Sequence, residues 1–129
     1  MIKPVSLQLY TLREEAEKNF EAVLERVAEI GFKGVEPAGI YNMKPEQFRK
    51  KVEDLGMVIS SSHGPWATPD NIDDVIATAK TFGINLVSCG YGPDRFKDLP
   101  SIKALAQEVS GMAQTLSDAG LTLFMNNHH

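Results

Sequence analysis

The chain has 129 residues, 43% of them hydrophobic and 23% charged, which is ordinary globular composition and excludes disorder, collagen and coiled coil. That length suffices for one domain with a sizeable core and not for two. A formal net charge of −4 and the lack of any basic run argue against a nucleic-acid backbone as partner.

In chain order, Val5 to Tyr10 is an apolar, strand-like run that opens the fold. Glu14, Glu15 and Glu17 follow as a solvated helix start, where carboxylates favour the helix dipole. Phe20, Val23, Leu24, Val27 and Ile30 then recur at helical spacing as one apolar stripe with charges opposite. The joint Ile30-Gly31-Phe32 leads into the strand Gly34-Val35-Glu36. Pro45, at a first helical position, precedes Phe48, Val52 and Leu55. The joint Leu55-Gly56-Met57 starts the strand Met57-Val58-Ile59-Ser60. Pro69-Asp70 opens a helix carrying Ile72, Val75, Ile76, Ala79 and Phe82; Phe82-Gly83-Ile84 then leads to Asn85-Leu86-Val87-Ser88. Ser101 caps a long helix with Ile102, Leu105, Val109, Met112, Ala113 and Leu116. Ala119-Gly120-Leu121 begins the last strand, Thr122-Leu123-Phe124-Met125. Glycine just past each helix end supplies the left-handed turn that closes the final carbonyls.

Strands that alternate with amphipathic helices impose a parallel sheet, because every crossover returns the chain to the same end. Two architectures fit this β-α-β-α-β-α-β-α-β order: an open doubly wound sheet, or part of an eight-stranded barrel. Length favours the open sheet, since a closed barrel takes about 250 residues. The loops point the other way. The first strand runs into Thr11-Leu12-Arg13-Glu14-Glu15, an acidic stretch without the glycines of a phosphate loop. No acidic pair stands at the ends of the first and third strands, as a receiver domain needs, and no Gly-x-Gly-x-x-Gly occurs.

In parallel β/α folds chemistry lies at the carboxyl ends of the strands. Those ends carry Gln8 and Tyr10, Glu36 and Tyr41, His63 and Trp66, Cys89 and Tyr91, and Asn126-Asn127-His128-His129. Every histidine, tryptophan and tyrosine of the chain falls among them. Hydrogen-bonding groups beside a few aromatic faces suit a polyhydroxylated ligand. His63 and His128 are the candidate catalytic groups, and Gln8, Tyr10, Glu36, Trp66 and Asn126 the candidate substrate contacts. Cys89 reads as a small core residue, and Tyr41 and Tyr91 as loop packing.

Five stretches carry a family resemblance: Val5-Ser6-Leu7-Gln8-Leu9-Tyr10-Thr11-Leu12-Arg13; Ile30-Gly31-Phe32-Lys33-Gly34-Val35-Glu36; Lys44-Pro45-Glu46-Gln47-Phe48-Arg49; Ser61-Ser62-His63; and Gly120 through His129. In that order they resemble sugar phosphate isomerase/epimerase proteins of the xylose-isomerase-like barrel superfamily. The resemblance implies a parallel β/α barrel of TIM type, cut off after the fifth strand, with residues 1–129 forming the N-terminal part of one barrel domain. It also implies a divalent metal (manganese, magnesium, cobalt or zinc) holding adjacent sugar oxygens while an acid/base pair moves a proton beside the carbonyl. His63 matches a substrate-contacting or catalytic histidine of the third strand, and His128 the second histidine of the fifth-strand motif. Asn126 departs from the family, which places a histidine or a metal-binding glutamate there. Most metal ligands are expected beyond His129.

The expected partner is a small carbohydrate, with no nucleic acid and no membrane, and self-association through exposed barrel edges is expected as well. A lone cysteine forms no internal disulfide and no zinc cluster, and no run reaches the roughly 18 apolar residues of a membrane span. With a start too interrupted for a signal peptide, these features give a cytoplasmic expectation. Two other readings stay open: a non-catalytic half-barrel assembly module, or a lyase, dehydratase or endonuclease branch of the same superfamily.

Overall fold

A computed structural model describes residues 4–125. Five short strands, β1 (Ser6–Gln8), β2 (Gly34–Glu36), β3 (Val58–Ile59), β4 (Leu86–Cys89) and β5 (Thr122–Met125), alternate with helices. The helices are α1 (Arg13–Lys18), α2 (Phe20–Ile30), α3 (Pro45–Asp54), α4 (Ile72–Phe82) and α5 (Leu99–Asp118). Single 3-10 turns occupy Leu9–Leu12 and Pro93–Phe96.

All strand pairs are parallel. β1, β2 and β3 form one sheet, with Ser6 opposite Gly34, Gln8 opposite Glu36 and Gly34 opposite Val58. β4 and β5 form a second, with Leu86 opposite Thr122 and Ser88 opposite Phe124. A seam separates the two sheets. It is crossed by the Ala67 amide donating to the Ser88 carbonyl at 2.9 Å and by the Ser88 hydroxyl donating to the Ser62 carbonyl at 3.2 Å.

Because strand side chains alternate between faces, each sheet has one face against the helices and one turned away. Leu7, Val35 and Ile59 pack with Leu24, Val27, Phe48 and Val52 in one core cluster. Val87, Cys89 and Leu123 pack with Val75, Ala79, Met112 and Leu116 in another. Each such large apolar side chain contributes ~1.5–3 kcal/mol on full burial. The opposite face carries Gln8 and Glu36 together with Val58, Leu86 and Phe124, which are 60%, 40% and 37% exposed. In a closed barrel this is the face turned to the interior.

The helical stripes pack as their spacing predicts, and all four glycine joints take positive φ, from 74° at Gly83 to 112° at Gly31. Several expectations change. The first strand stops at Gln8 rather than Tyr10, because the chain tightens into the Leu9–Leu12 turn and buries Leu9 beneath it. A separate helix, α1, precedes α2; Asn19 ends the first in extended conformation and caps the second by accepting from the Ala22 amide at 3.1 Å. α4 starts at Ile72, since Thr68 and Asn71 hydrogen-bond each other and hold Pro69-Asp70 in a turn. Ile30 and Ile102 are exposed, lying in the last turn of α2 and the first turn of α5.

The cap of α5 is Asp98, whose carboxylate accepts from the Ser101 amide at 2.8 Å; Ser101 lies three residues inside the helix. These hydrogen bonds from Ser101 hold the Asp98 carboxyl below its ordinary pKa. A depressed carboxylate pKa stabilises the fold above the unfolded value, and that contribution disappears as pH falls through the folded one. Asp98→Ala is therefore expected to lower the melting temperature at neutral pH and much less in strong acid. Asp98→Asn, which still caps, is expected to retain most of the stability at neutral pH. Thermal melts across the acid range measure both.

Candidate functional site

Gln8 and Glu36 are register partners at the ends of β1 and β2, so their side chains leave the sheet on the same, helix-free face. There the Gln8 amide Nε2 donates to Glu36 Oε1 at 2.6 Å. From the segment after β3, the Ser61 hydroxyl donates to Glu36 Oε2 at 2.5 Å. The carboxylate is thus fixed from both sides by neutral donors, each such bond charge-assisted. His63 Nδ1 lies 3.9 Å from Glu36 Oε1, and its own backbone amide donates to the Pro37 carbonyl at 2.8 Å. The His63 and Glu36 side chains keep 22% and 27% of their surface open, so both are positioned by protein yet partly exposed.

Aromatic rings flank this polar group. Tyr10 lies 6.1 Å from the His63 ring, and Trp66 meets His63 edge-on at 5.9 Å. Tyr10, Ala38, Gly39, His63, Gly64, Pro65 and Trp66 line one open cleft. Trp66 owes its position to Gly90 at the end of β4, where an added Cβ would sit 2.5 Å from the indole Cζ3. Any side chain at position 90 has to displace the ring.

The described residues therefore bring together five of the sequence-predicted contacts: Gln8, Tyr10, Glu36, His63 and Trp66. Asn126 and His128 lie outside the described residues. Cys89 is fully buried against α5, as a core cysteine. Ser61 and Gly90 were missed. Ser61 had a usable signal, a hydroxyl two residues before His63 on the same strand end; for Gly90, sequence offers no hint that an indole lies across it.

A divalent metal does not fit this group by itself. Among the described residues no three His, Cys, Asp or Glu side chains converge. Glu36 and His63 are the only two residues of those types in this group, and both Glu36 oxygens already accept hydrogen bonds.

Tyr91, after β4, forms a second cluster with Arg95 and Glu108. The guanidinium sits 5.2 Å from the Tyr91 ring and 3.4 Å from the Glu108 carboxylate. Burial, and then the Glu108 carboxylate beside it, push the Tyr91 phenol well above its ordinary pKa. A raised phenol pKa stabilises the fold below the unfolded value and is lost as pH rises through the folded one. Spectrophotometric titration is expected to show Tyr91 ionising above the ordinary tyrosine range, with Tyr91→Phe removing that step.

No protein-family model matches the sequence, and no curated protein matches it. Solved structures do. A sugar phosphate isomerase/epimerase from Parabacteroides distasonis superposes with a TM-score of 0.68 at 21% identity, over 99% of this chain and 52% of its own. An AP endonuclease, family 2, from Brucella melitensis gives 0.76 at 16% identity, over 95% and 55%. A xylose isomerase-like TIM barrel protein from Mycobacterium smegmatis, in complex with magnesium, gives 0.66 at 19% identity, over 98% and 55%. The chain spans about half the length of these structures. Among the described residues no helix is long and apolar enough to cross a membrane. Parallel strands, helices packed on one face, polar strand ends on the other and these likenesses together identify the fold as about half of a TIM barrel.

Proposed function

We propose that this chain is the first part of a metal-dependent isomerase or epimerase acting on a sugar or sugar phosphate. The observation that carries the reading is the Gln8–Glu36–Ser61 hydrogen-bonded group, with His63 beside it and Tyr10 and Trp66 flanking. An anchored carboxylate and an imidazole suit sugar hydroxyls as acceptor and proton carrier. Aromatic faces suit the C–H side of a sugar ring. The complete barrel takes its metal ligands from outside residues 4–125, so the described residues hold and orient substrate. His63 then holds or moves a proton at Nδ1 or Nε2. The magnesium complex of the Mycobacterium smegmatis relative supports a divalent ion in the complete protein.

The test is deuterium incorporation beside the carbonyl when a panel of aldoses, ketoses and their phosphates is incubated in D2O with the full reading frame of the source and Mn or Mg. Exchange that needs the metal and is lost in His63→Asn supports the reading; no exchange on any sugar, with cleavage of abasic DNA instead, overturns it. The endonuclease alternative draws on the 0.76 TM-score. Against it stand the net charge of −4 and a β4 end, Ser88-Cys89-Gly90-Tyr91-Gly92, that offers no histidine. The 129-residue chain alone is expected to be catalytically silent, and the exposed Val58, Leu86 and Phe124 on its open face to favour self-association.

A further inference from the structure

Among the described residues, Tyr41 is the one residue other than glycine with positive φ, at 58°. A bulky side chain in the left-handed region is unfavourable and persists where its surroundings hold it. Here two contacts hold it. The Tyr41 ring packs on Phe20 at 4.9 Å, and its hydroxyl donates to the Arg13 carbonyl at 3.4 Å.

Arg13 passes the constraint on. Its Nη1 donates to the Tyr10 carbonyl at 3.1 Å, while its guanidinium lies 4.4 Å from the centre of the Tyr10 ring. A planar guanidinium over a phenol face is a directional contact. It grips both the backbone and the ring of the residue that flanks His63. Tyr10 is half exposed, and a free side chain there would sample several rotamers.

Resting on the carbohydrate reading of the cleft, we propose that Tyr41 and Arg13 are positioning residues: acting through Tyr10, they set the angle at which its ring faces His63 and the bound sugar. Neither lines the cleft itself. The loop after β2 and the start of α1 thereby shape a ligand surface from behind.

The test labels the chain with 3-fluorotyrosine and assigns its three tyrosine signals by Tyr10→Phe, Tyr41→Phe and Tyr91→Phe. Arg13→Ala and Tyr41→Phe are each expected to shift the Tyr10 fluorine resonance. Arg13→Lys, which keeps the charge without the planar group, is expected to shift it less. Arg26→Ala, which removes an exposed α2 side chain paired with Glu29, is expected to leave it in place. A Tyr10 resonance unmoved by both Arg13→Ala and Tyr41→Phe overturns the proposal. Binding of D-fructose and xylitol is then followed by the fluorescence of Trp66, the single tryptophan. Arg13→Ala is expected to weaken binding about two- to fivefold, and to cost nothing further in a Tyr10→Ala background. An equal loss in both backgrounds shows that Arg13 does not act through Tyr10 and overturns the proposal. Absence of binding by the unaltered chain counts against the carbohydrate reading, and the fluorine result then decides the positioning by itself.

Discussion

Phe48→Ala is expected to destabilise the chain by about 3–5 kcal/mol, seen as a lower urea midpoint. Phe48 is fully buried on α3. It stacks against Phe20 of α2 at 5.7 Å with the rings 6° from parallel, and meets Phe82 of α4 at 5.4 Å and 58°. Three consecutive helices thus share one ring. Aromatic pairs add about 0.5–1.5 kcal/mol beyond their buried area, so truncation removes two pair interactions and leaves a cavity that rigid neighbours close poorly. Phe48→Leu is expected to cost well under half as much. Equal effects from the two variants would show that the site collapses freely and that stacking contributes little.

Glu36→Ala is expected to act on stability and on function differently. In the isolated chain it strands the Gln8 amide and the Ser61 hydroxyl, at about 1–3 kcal/mol when donors lose a buried partner. Since Glu36 keeps part of its surface open, water recovers some of that and the lower half of the range applies. In the complete barrel of the proposal the same change is expected to lower kcat/KM by about 10-fold or more, the scale of a lost charged acceptor for a sugar hydroxyl. Glu36→Gln separates the two effects: it nearly restores volume, but its amide can accept through one oxygen only. Stability close to the parent with activity still lost assigns the carboxylate to chemistry; recovery of both assigns it to architecture.

Much of this was legible in the sequence. The strand positions, the four long helices and the glycine joints follow from periodicity, because apolar spacing and the left-handed glycine after a helix are local signals. Gln8, Tyr10, Glu36, His63 and Trp66 were legible as a group because parallel strands deliver their ends to one side. What escaped depends on partners distant in the chain. The stop at Gln8 comes from burial of Leu9, not from any breaker in Val5 to Tyr10. The cap of α5 is Asp98 and not Ser101, because the Asp98 carboxylate reaches the Ser101 amide inside the first turn. The left-handed Tyr41 had no sequence mark, since its support comes from Phe20 and Arg13, more than twenty residues earlier.

The seam between the three-stranded and two-stranded sheets has a mechanical consequence. Each sheet rests on its own apolar cluster, and Ile84 borders both. α4 is divided between them: Phe82 belongs to the first cluster, Val75 and Ala79 to the second. The Arg49 guanidinium fastens it to α3 by donating to the Thr81 carbonyl at 2.9 Å. α4 is therefore the hinge pin of the chain. Opening that frees α4 would leave two blocks with separate cores, so native-state hydrogen exchange is expected to protect the amides of β1–β3 and of β4–β5 as two populations, with α4 marking their boundary.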